Sequence, residues 1–198
     1  MSPTQVREVL QFKVALTEVR PVVWRRIQVP AGYTFWDLHV AVQDAMGWLD
    51  YHLHEFTIHL PDQDVRIGIP DEDGLDDEPV LPGWEVPVAR YFGASIKTAD
   101  YCYDFGDNWL HTVTFEKGLS ADLHVKYPRC VAGKRHGPPE DCGGPWGFRR
   151  LLRILANPRH REHADMLDWV GGRFDSKAFE PSAVRFDNPR KRWKIAFG

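Results

Sequence analysis

Side chains that can hold a metal ion or transfer a proton are concentrated in two short segments of the sequence. The six residues are His52, His54, Glu55, Asp104, Asp107 and His111. If such imidazoles and carboxylates meet at the end of a sheet, they can bind Zn²⁺ or another divalent metal, or activate water. The pattern therefore predicts a candidate metal site of His52, His54, Asp104 and His111, with Glu55 or Asp107 as the catalytic base.

The same histidines also have a structural interpretation. Alternation along the chain places His52 and His54 on the face of a strand that carries Phe56, and places His111 on the face that carries Val113. An inward histidine bonded to a neighbouring Asp or Tyr would be a satisfied polar group inside an apolar sheet. Both interpretations require that the rings face the same interior as the aromatic residues.

A second candidate metal site lies further along the chain, where potential ligands recur at six-residue intervals. They are His124, Cys130, His136 and Cys142. Two thiolates with one or two imidazoles could form a tetrahedral structural zinc site. The spacing lacks the close ligand pairs of a zinc finger, and the alternative is that Cys130 and Cys142 pack as small apolar residues.

Glu140 and Asp141 precede Pro145, which suits the first position of a helix. Carboxylates at a helix N-terminus are explained by the helix dipole alone. Gly143 and Gly144 could let a phosphate approach the backbone, but the segment has no Walker A pattern, and no dinucleotide-binding motif follows a predicted strand. We therefore expect no bound nucleotide.

The C-terminal end is basic and aromatic. Its cations are Arg185, Arg190, Lys191, Arg192 and Lys194, and they alternate with Phe186, Trp193 and Phe197. Such a segment could contact nucleic acid through charge and stacking. The alternatives are a solvated tail, or docking onto the acidic residues near 71–78.

Periodicity predicts the elements that would position these residues. Strands are expected at 9–19 and 22–29 as one hairpin, at 53–60, and at 99–105 and 108–116 as a second hairpin that turns at Gly106. A helix is expected from Thr34, which begins a near capping box, to Gly47.

Two proline- and glycine-rich segments predict irregular structure. Residues 61–88 are expected to be a long exposed loop with an acidic cluster, and 127–144 to lack regular structure. Helices are expected at about 145–156 and 159–170, the second with Met166, Leu167, Trp169 and Val170 toward the core. The sequence thus predicts a single α+β domain over 1–198: an antiparallel or mixed sheet of hairpins, helices packed on it, and a helical C-terminal half.

Composition excludes several classes of protein. The chain has 198 residues, 43% of them hydrophobic, a net charge of −3 and three cysteines. These values exclude a disordered chain, a collagen and a disulfide framework, and they give no global basic field. Because no apolar run approaches the roughly 20 residues of a membrane span and no signal peptide is evident, we expect a cytoplasmic protein with no membrane partner.

Three segments together resemble a known family: Tyr51-His-Leu-His-Glu-Phe56, Tyr103-Asp-Phe-Gly-Asp-Asn-Trp-Leu-His111, and Tyr127-Pro-Arg-Cys-Val-Ala-Gly133 followed by Pro138-Pro-Glu-Asp-Cys-Gly-Gly144. They look like the Ri-plasmid open-reading-frame-three-like family, and the match runs from about Phe12 to Trp169. Members often lie on plasmids and transposable elements, and many carry a transposon resolvase or passenger-protein label. The resemblance implies no established activity.

Resolvase chemistry does not fit this chain. A serine recombinase needs a nucleophilic serine near its first strand and a helix-turn-helix, and neither is present. The sequence instead favours a non-catalytic binding or accessory protein of plasmids or mobile elements, with a protein or nucleic-acid partner. The alternatives are a metal-dependent hydrolase or nuclease that uses the His/Asp cluster, and a nucleic-acid-binding protein that uses the basic C-terminal end.

Overall fold

An eight-stranded mixed sheet forms the centre of the molecule in the computed structural model, which describes residues 7–70 and 79–198. The strands are β1 (Glu8–Leu16), β2 (Trp24–Pro30), β3 (His54–His59), β4 (Asp64–Gly68), β5 (Val80–Pro82), β6 (Thr98–Tyr103), β7 (Trp109–Ser120) and β8 (Arg129–Lys134). Their order is β5-β4-β3-β6-β7-β1-β2-β8. All neighbours pair antiparallel except β4 and β5, which pair parallel.

The described residues also form four α-helices and two short 3-10 turns. The helices are α1 (Phe35–Met46), α2 (Gly144–Leu155), α3 (His163–Trp169) and α4 (Pro189–Phe197), and the turns are Val88–Arg90 and Pro181–Ala183. The predicted α+β class is confirmed. Within residues 7–70 and 79–198, none of the helices has the length and apolar character that a membrane span requires.

The two predicted hairpins are present, as β1–β2 and β6–β7. The alternation of apolar and polar residues predicted these strands because one face of each is buried. In β1, Phe12, Val14 and Leu16 are at most 2% exposed. The register pairs Tyr101 of β6 with His111 of β7. It also pairs Tyr103 of β6 with His54 of β3, and this fixes where the histidines lie in the core.

Helix α1 begins and ends as its sequence predicts. The Thr34 hydroxyl accepts from the Asp37 N–H, and the Asp37 carboxylate accepts from the Thr34 N–H, which completes a capping box. Gly47 ends the helix in the left-handed conformation, with φ of 87°. The helix is buried on nearly all sides, because the sheet lies on one side and α4 packs on another.

Several boundaries differ from the prediction. Residues 61–88 are not one long loop, since β4 and β5 form there and extend the sheet, while the acidic residues 71–78 lie outside the described residues. Likewise, 127–144 contains β8 at the opposite edge. The helical C-terminal half is not confirmed, because β7 and β8 continue the sheet to Lys134. In α3, Trp169 is 47% exposed rather than directed to the core.

Candidate functional site

Three segments meet beyond the start of β3 and the end of β6. They are the loops 47–53 and 104–108, and residues 138–146, a loop that runs into the first turn of α2; we call them together the three-loop surface. Hydrogen bonds between the loops hold them together. Leu49 N–H donates to Glu140 Oε1 at 2.7 Å, Asp104 N–H donates to the Leu53 carbonyl at 2.9 Å, and Gly143 N–H donates to Asp107 Oδ2 at 3.1 Å. Trp48 adds an indole N–H bond to the Pro138 carbonyl at 2.8 Å. The surface is therefore braced by the protein itself.

Potential metal ligands from all three loops converge on this surface. The His52 Nε2 atom lies 2.9 Å from Asp141 Oδ1 and 3.6 Å from Asp104 Oδ2. Asp104 has φ of 58°, and its other oxygen accepts the N–H groups of Gly106 and Asp107. That turn directs Oδ2 toward His52. One imidazole and two carboxylates at these separations form a donor set that can hold a divalent cation.

The same three segments also carry large apolar side chains that are exposed. The exposed residues are Leu49, Tyr51, Leu53, Phe105 and Trp146, and their exposure ranges from 54% to 70%. A monomeric soluble protein rarely exposes clustered apolar side chains without using them in an interaction. The three-loop surface therefore combines carboxylates with exposed apolar side chains.

His54 does not join His52, because it lies inside the core. Its ring stacks on His39 of α1, with centroids 3.4 Å apart and planes 8° from parallel. Imidazole lone pairs lie in the ring plane, so two rings stacked in this way cannot both direct a nitrogen at one metal ion. Burial, and then the neighbouring His39, lowers the pKa of His54 well below its usual value.

His39 belongs to a chain of buried hydrogen bonds that the sequence did not reveal. Its Nε2 atom lies 2.7 Å from Asp50 Oδ1, and its Nδ1 atom lies 2.8 Å from the Tyr101 hydroxyl. The Gln43 amide donates to the same hydroxyl at 2.9 Å. Gln43, Tyr101, His39 and Asp50 therefore form one continuous chain of polar contacts.

His111 is also buried, and Tyr101 lies between it and His54. The ring centroids are 5.1 Å apart for Tyr101 and His111, and 6.2 Å apart for Tyr101 and His54. His111 Nδ1 donates to the Tyr101 carbonyl at 3.3 Å, and burial lowers the pKa of His111 to about 4. Among the described residues, no group of three metal ligands within 4.8 Å includes His111.

The two candidate bases have other partners. Glu55 lies on the face of β3 opposite His54 and forms an ion pair with Arg66 at 2.8 Å. Asp107 accepts the Gly143 N–H described above. Both carboxylates thus contribute to structure around the site.

The second predicted ligand set is not brought together. No three of His124, Cys130, His136 and Cys142 offer ligand atoms within 4.8 Å of one another. Cys130 lies on the edge strand β8, and the His136 ring packs on Phe174. Burial raises the pKa of the Cys130 thiol, and raises that of Cys142 to about 12, which opposes the thiolate form that zinc requires.

The basic C-terminal end is a docked helix rather than a free tail. Arg192 of α4 forms ion pairs with Asp44 at 2.7 Å, with Asp50 at 3.7 Å and with Asp187. Arg185 donates to the carbonyls of Ser182 and Val184. Arg190, Lys191 and Lys194 are exposed. The acidic partner of this segment is therefore α1 and the residues after it, within the part of the chain that the structure describes.

Comparison with known proteins places the chain among relatives whose names state no activity. It is 36% identical over 186 residues to the uncharacterized protein y4hQ of Sinorhizobium fredii, covering 94% of this chain and 91% of the relative. The crystal structure of a protein of unknown function, MM3350 from Methanosarcina mazei Go1, matches with a TM-score of 0.83 and 42% identity, covering 91% of this chain and 99% of that one. A family model described as plasmid pRiA4b ORF-3-like protein matches residues 8–183. The chain therefore belongs to the plasmid pRiA4b ORF-3-like family.

Proposed function

We propose that this protein is a non-catalytic binding or accessory protein of plasmids and mobile elements, and that its three-loop surface binds a protein segment rich in basic and apolar side chains. The observation that carries the proposal is the set of large apolar side chains exposed on that surface. Their burial by a partner would supply the free energy of association.

The bracing of the three loops favours binding. Leu49, Asp104 and Gly143 each donate a backbone N–H that ties one loop to another. Such a surface loses little conformational entropy when a partner docks, so more of the apolar burial appears as affinity.

The charge of the three-loop surface favours a basic partner. Asp104, Asp107, Glu140 and Asp141 contribute carboxylates to it, beside the imidazole of His52. Charge complementarity sets partner choice and speeds encounter. A segment with Lys or Arg between apolar residues would match both the carboxylates and the exposed apolar side chains.

A pair of labelled peptides of about 12 residues tests the proposal, one alternating Lys with Leu and the other alternating Glu with Leu. Fluorescence anisotropy should show saturable binding of the basic peptide and much weaker binding of the acidic one. The double variant Tyr51→Ala, Trp146→Ala should weaken binding at least ~10-fold.

Leu123→Ala serves as the matched control, because Leu123 is 65% exposed and lies outside the three-loop surface. This variant should bind the basic peptide like the wild type. Equal affinity for the two peptides, or equal losses in the control and the double variant, would contradict the proposal.

A metal-dependent hydrolase or nuclease is the second candidate, favoured by the donor set of His52, Asp104 and Asp141. Two ligands bound to one ion at about 2.1 Å lie roughly 3.0 to 3.4 Å apart for octahedral or tetrahedral angles. The separations of 2.9 and 3.6 Å around His52 are close to that range. A bound ion would supply Lewis-acid activation of water.

Calorimetric titration with Zn²⁺ and Mn²⁺ tests this second candidate. His52→Ala and Asp141→Asn should each abolish binding of one equivalent. His59→Ala is the matched control, because His59 also lies between two aspartates, Asp64 and Asp100, but contacts them through opposite ring nitrogens and cannot chelate one ion with both. Binding that survives His52→Ala would exclude this site.

A further inference from the structure

A cavity lies away from the three-loop surface, between the start of α1, the turn that carries Trp84, and α4. Its volume is 430 Å³, within the range typical of small-molecule sites. The residues that matter here are Trp36, Trp84, Trp193, Asp37, Arg190 and Lys194. We propose that this cavity binds a small planar aromatic ligand that carries a negative charge.

The aromatic part of the proposed ligand is matched by three indole rings. Trp84 and Trp193 lie with centroids 6.2 Å apart at 68°, and Phe197 packs against both and against Trp36. Trp36 is held in place by an N–H bond to the Pro189 carbonyl at 3.0 Å. Fixed indole faces and edges recognise flat rings by stacking and edge contacts.

The charge of the cavity favours an anion. Arg190 and Lys194 face the cavity along with one carboxylate, that of Asp37. The Asp37 carboxylate is engaged in the α1 capping box, where it accepts the Thr34 N–H at 3.0 Å. Among residues 7–70 and 79–198, neither Arg190 nor Lys194 has an ion-pair partner within 4.0 Å. Burial raises the pKa of the Asp37 carboxyl and the Arg190 charge lowers it, so Arg190 already interacts with Asp37 at longer range.

Two probes cover the two sources of such a ligand: 2-naphthoate for an aromatic carboxylate and adenosine monophosphate for a nucleotide. Their neutral counterparts are 2-naphthalenemethanol and adenosine. Binding is followed by quenching of tryptophan fluorescence and by calorimetry on the full chain. We expect saturable binding of at least one anion, with its neutral counterpart at least ~10-fold weaker.

Variants locate the binding. Arg190→Gln and Lys194→Gln should each lower the affinity for the anion by about 3- to 10-fold. Lys191→Gln is the matched control, since Lys191 is exposed on the same helix but does not line the cavity, and it should change affinity less than ~2-fold. Failure of both anions to bind at about 5 mM, equal binding of the neutral compounds, or equal effects of Lys191→Gln and Lys194→Gln would overturn the proposal.

Discussion

Replacement of His111 by glutamine should remove a measurable part of the acid sensitivity of the fold, to which the buried His54 also contributes. The His111 imidazole is fully buried, and burial lowers its pKa from the ordinary value of 6.5 to about 4. In the folded chain it therefore binds a proton more weakly than in the unfolded chain. Below pH 6.5 the unfolded state takes up more protons, so stability is complete above that pH and falls until the pH reaches about 4.

The size of this effect follows from the shift. One pKa unit corresponds to about 1.4 kcal/mol. Because of the shift at His111, the free energy of unfolding should fall by about 2 kcal/mol between pH 7 and pH 5. Urea unfolding followed by tryptophan fluorescence at the two pH values measures it. His111→Gln should reduce the difference in unfolding free energy between pH 7 and pH 5 by about that amount, because the amide does not titrate.

Burial raises the pKa values of Asp37 and Asp44, so these groups act in the opposite direction, but they are common to both proteins and cancel in the comparison. Val113→Ala is the matched control, since Val113 is buried on the same strand and has no proton to exchange. It should lower stability by about 2 kcal/mol equally at both pH values. An unchanged pH dependence in His111→Gln would refute the assignment of His111 as a neutral buried group.

Two further predictions concern the supports of the two sites. Gly144 has φ of 64°, and a Cβ there would lie 2.3 Å from the Asp107 carbonyl oxygen, so Gly144→Ala should lower the unfolding free energy by at least ~2 kcal/mol. Gly93→Ala, where a Cβ meets nothing within 4 Å, should change stability by less than ~0.5 kcal/mol in the same urea titration. Arg192→Gln should loosen α4, because it removes the ion pairs to Asp44, Asp50 and Asp187. Hydrogen exchange of the α4 amides should become at least ~10-fold faster in this variant, whereas Lys191→Gln should leave their exchange rates unchanged. Equal exchange in the two variants would show that Arg192 does not hold the helix.

The fold elements that the sequence predicted share a strong local signal. The β1–β2 and β6–β7 hairpins have one buried face, so alternation is visible, and α1 has both a capping box and a terminal glycine. The edge strands were missed for a physical reason. β5 has only three residues, and β8 is half-buried along most of its length, so neither shows a two-residue period.

For the site as well, the sequence predicted what local patterns determine and missed what depends on long-range pairing. The pattern correctly placed His54 and His111 inside the core, since both are at most 2% exposed. It wrongly placed His52 with them, because β3 begins only at His54 and the His52 side chain is 31% exposed. It did not show that Tyr101 separates His54 from His111, because that depends on how β6 pairs with β3 and β7. The sequence did offer a signal for His39, because it lies on an apolar face of α1 with a second polar residue, Gln43, four positions later. Nothing in the local sequence indicated that Asp50 would contact His39.

The most direct test of the proposed function is a two-dimensional ¹H–¹⁵N NMR titration of the full chain with the basic Lys/Leu peptide. Partner binding at the three-loop surface predicts that the largest shift changes fall on backbone amides of residues 47–53, 104–108 and 138–146, with little change along β8. Shift changes spread evenly over the protein, or concentrated on α4 and the turn around Trp84, would contradict it.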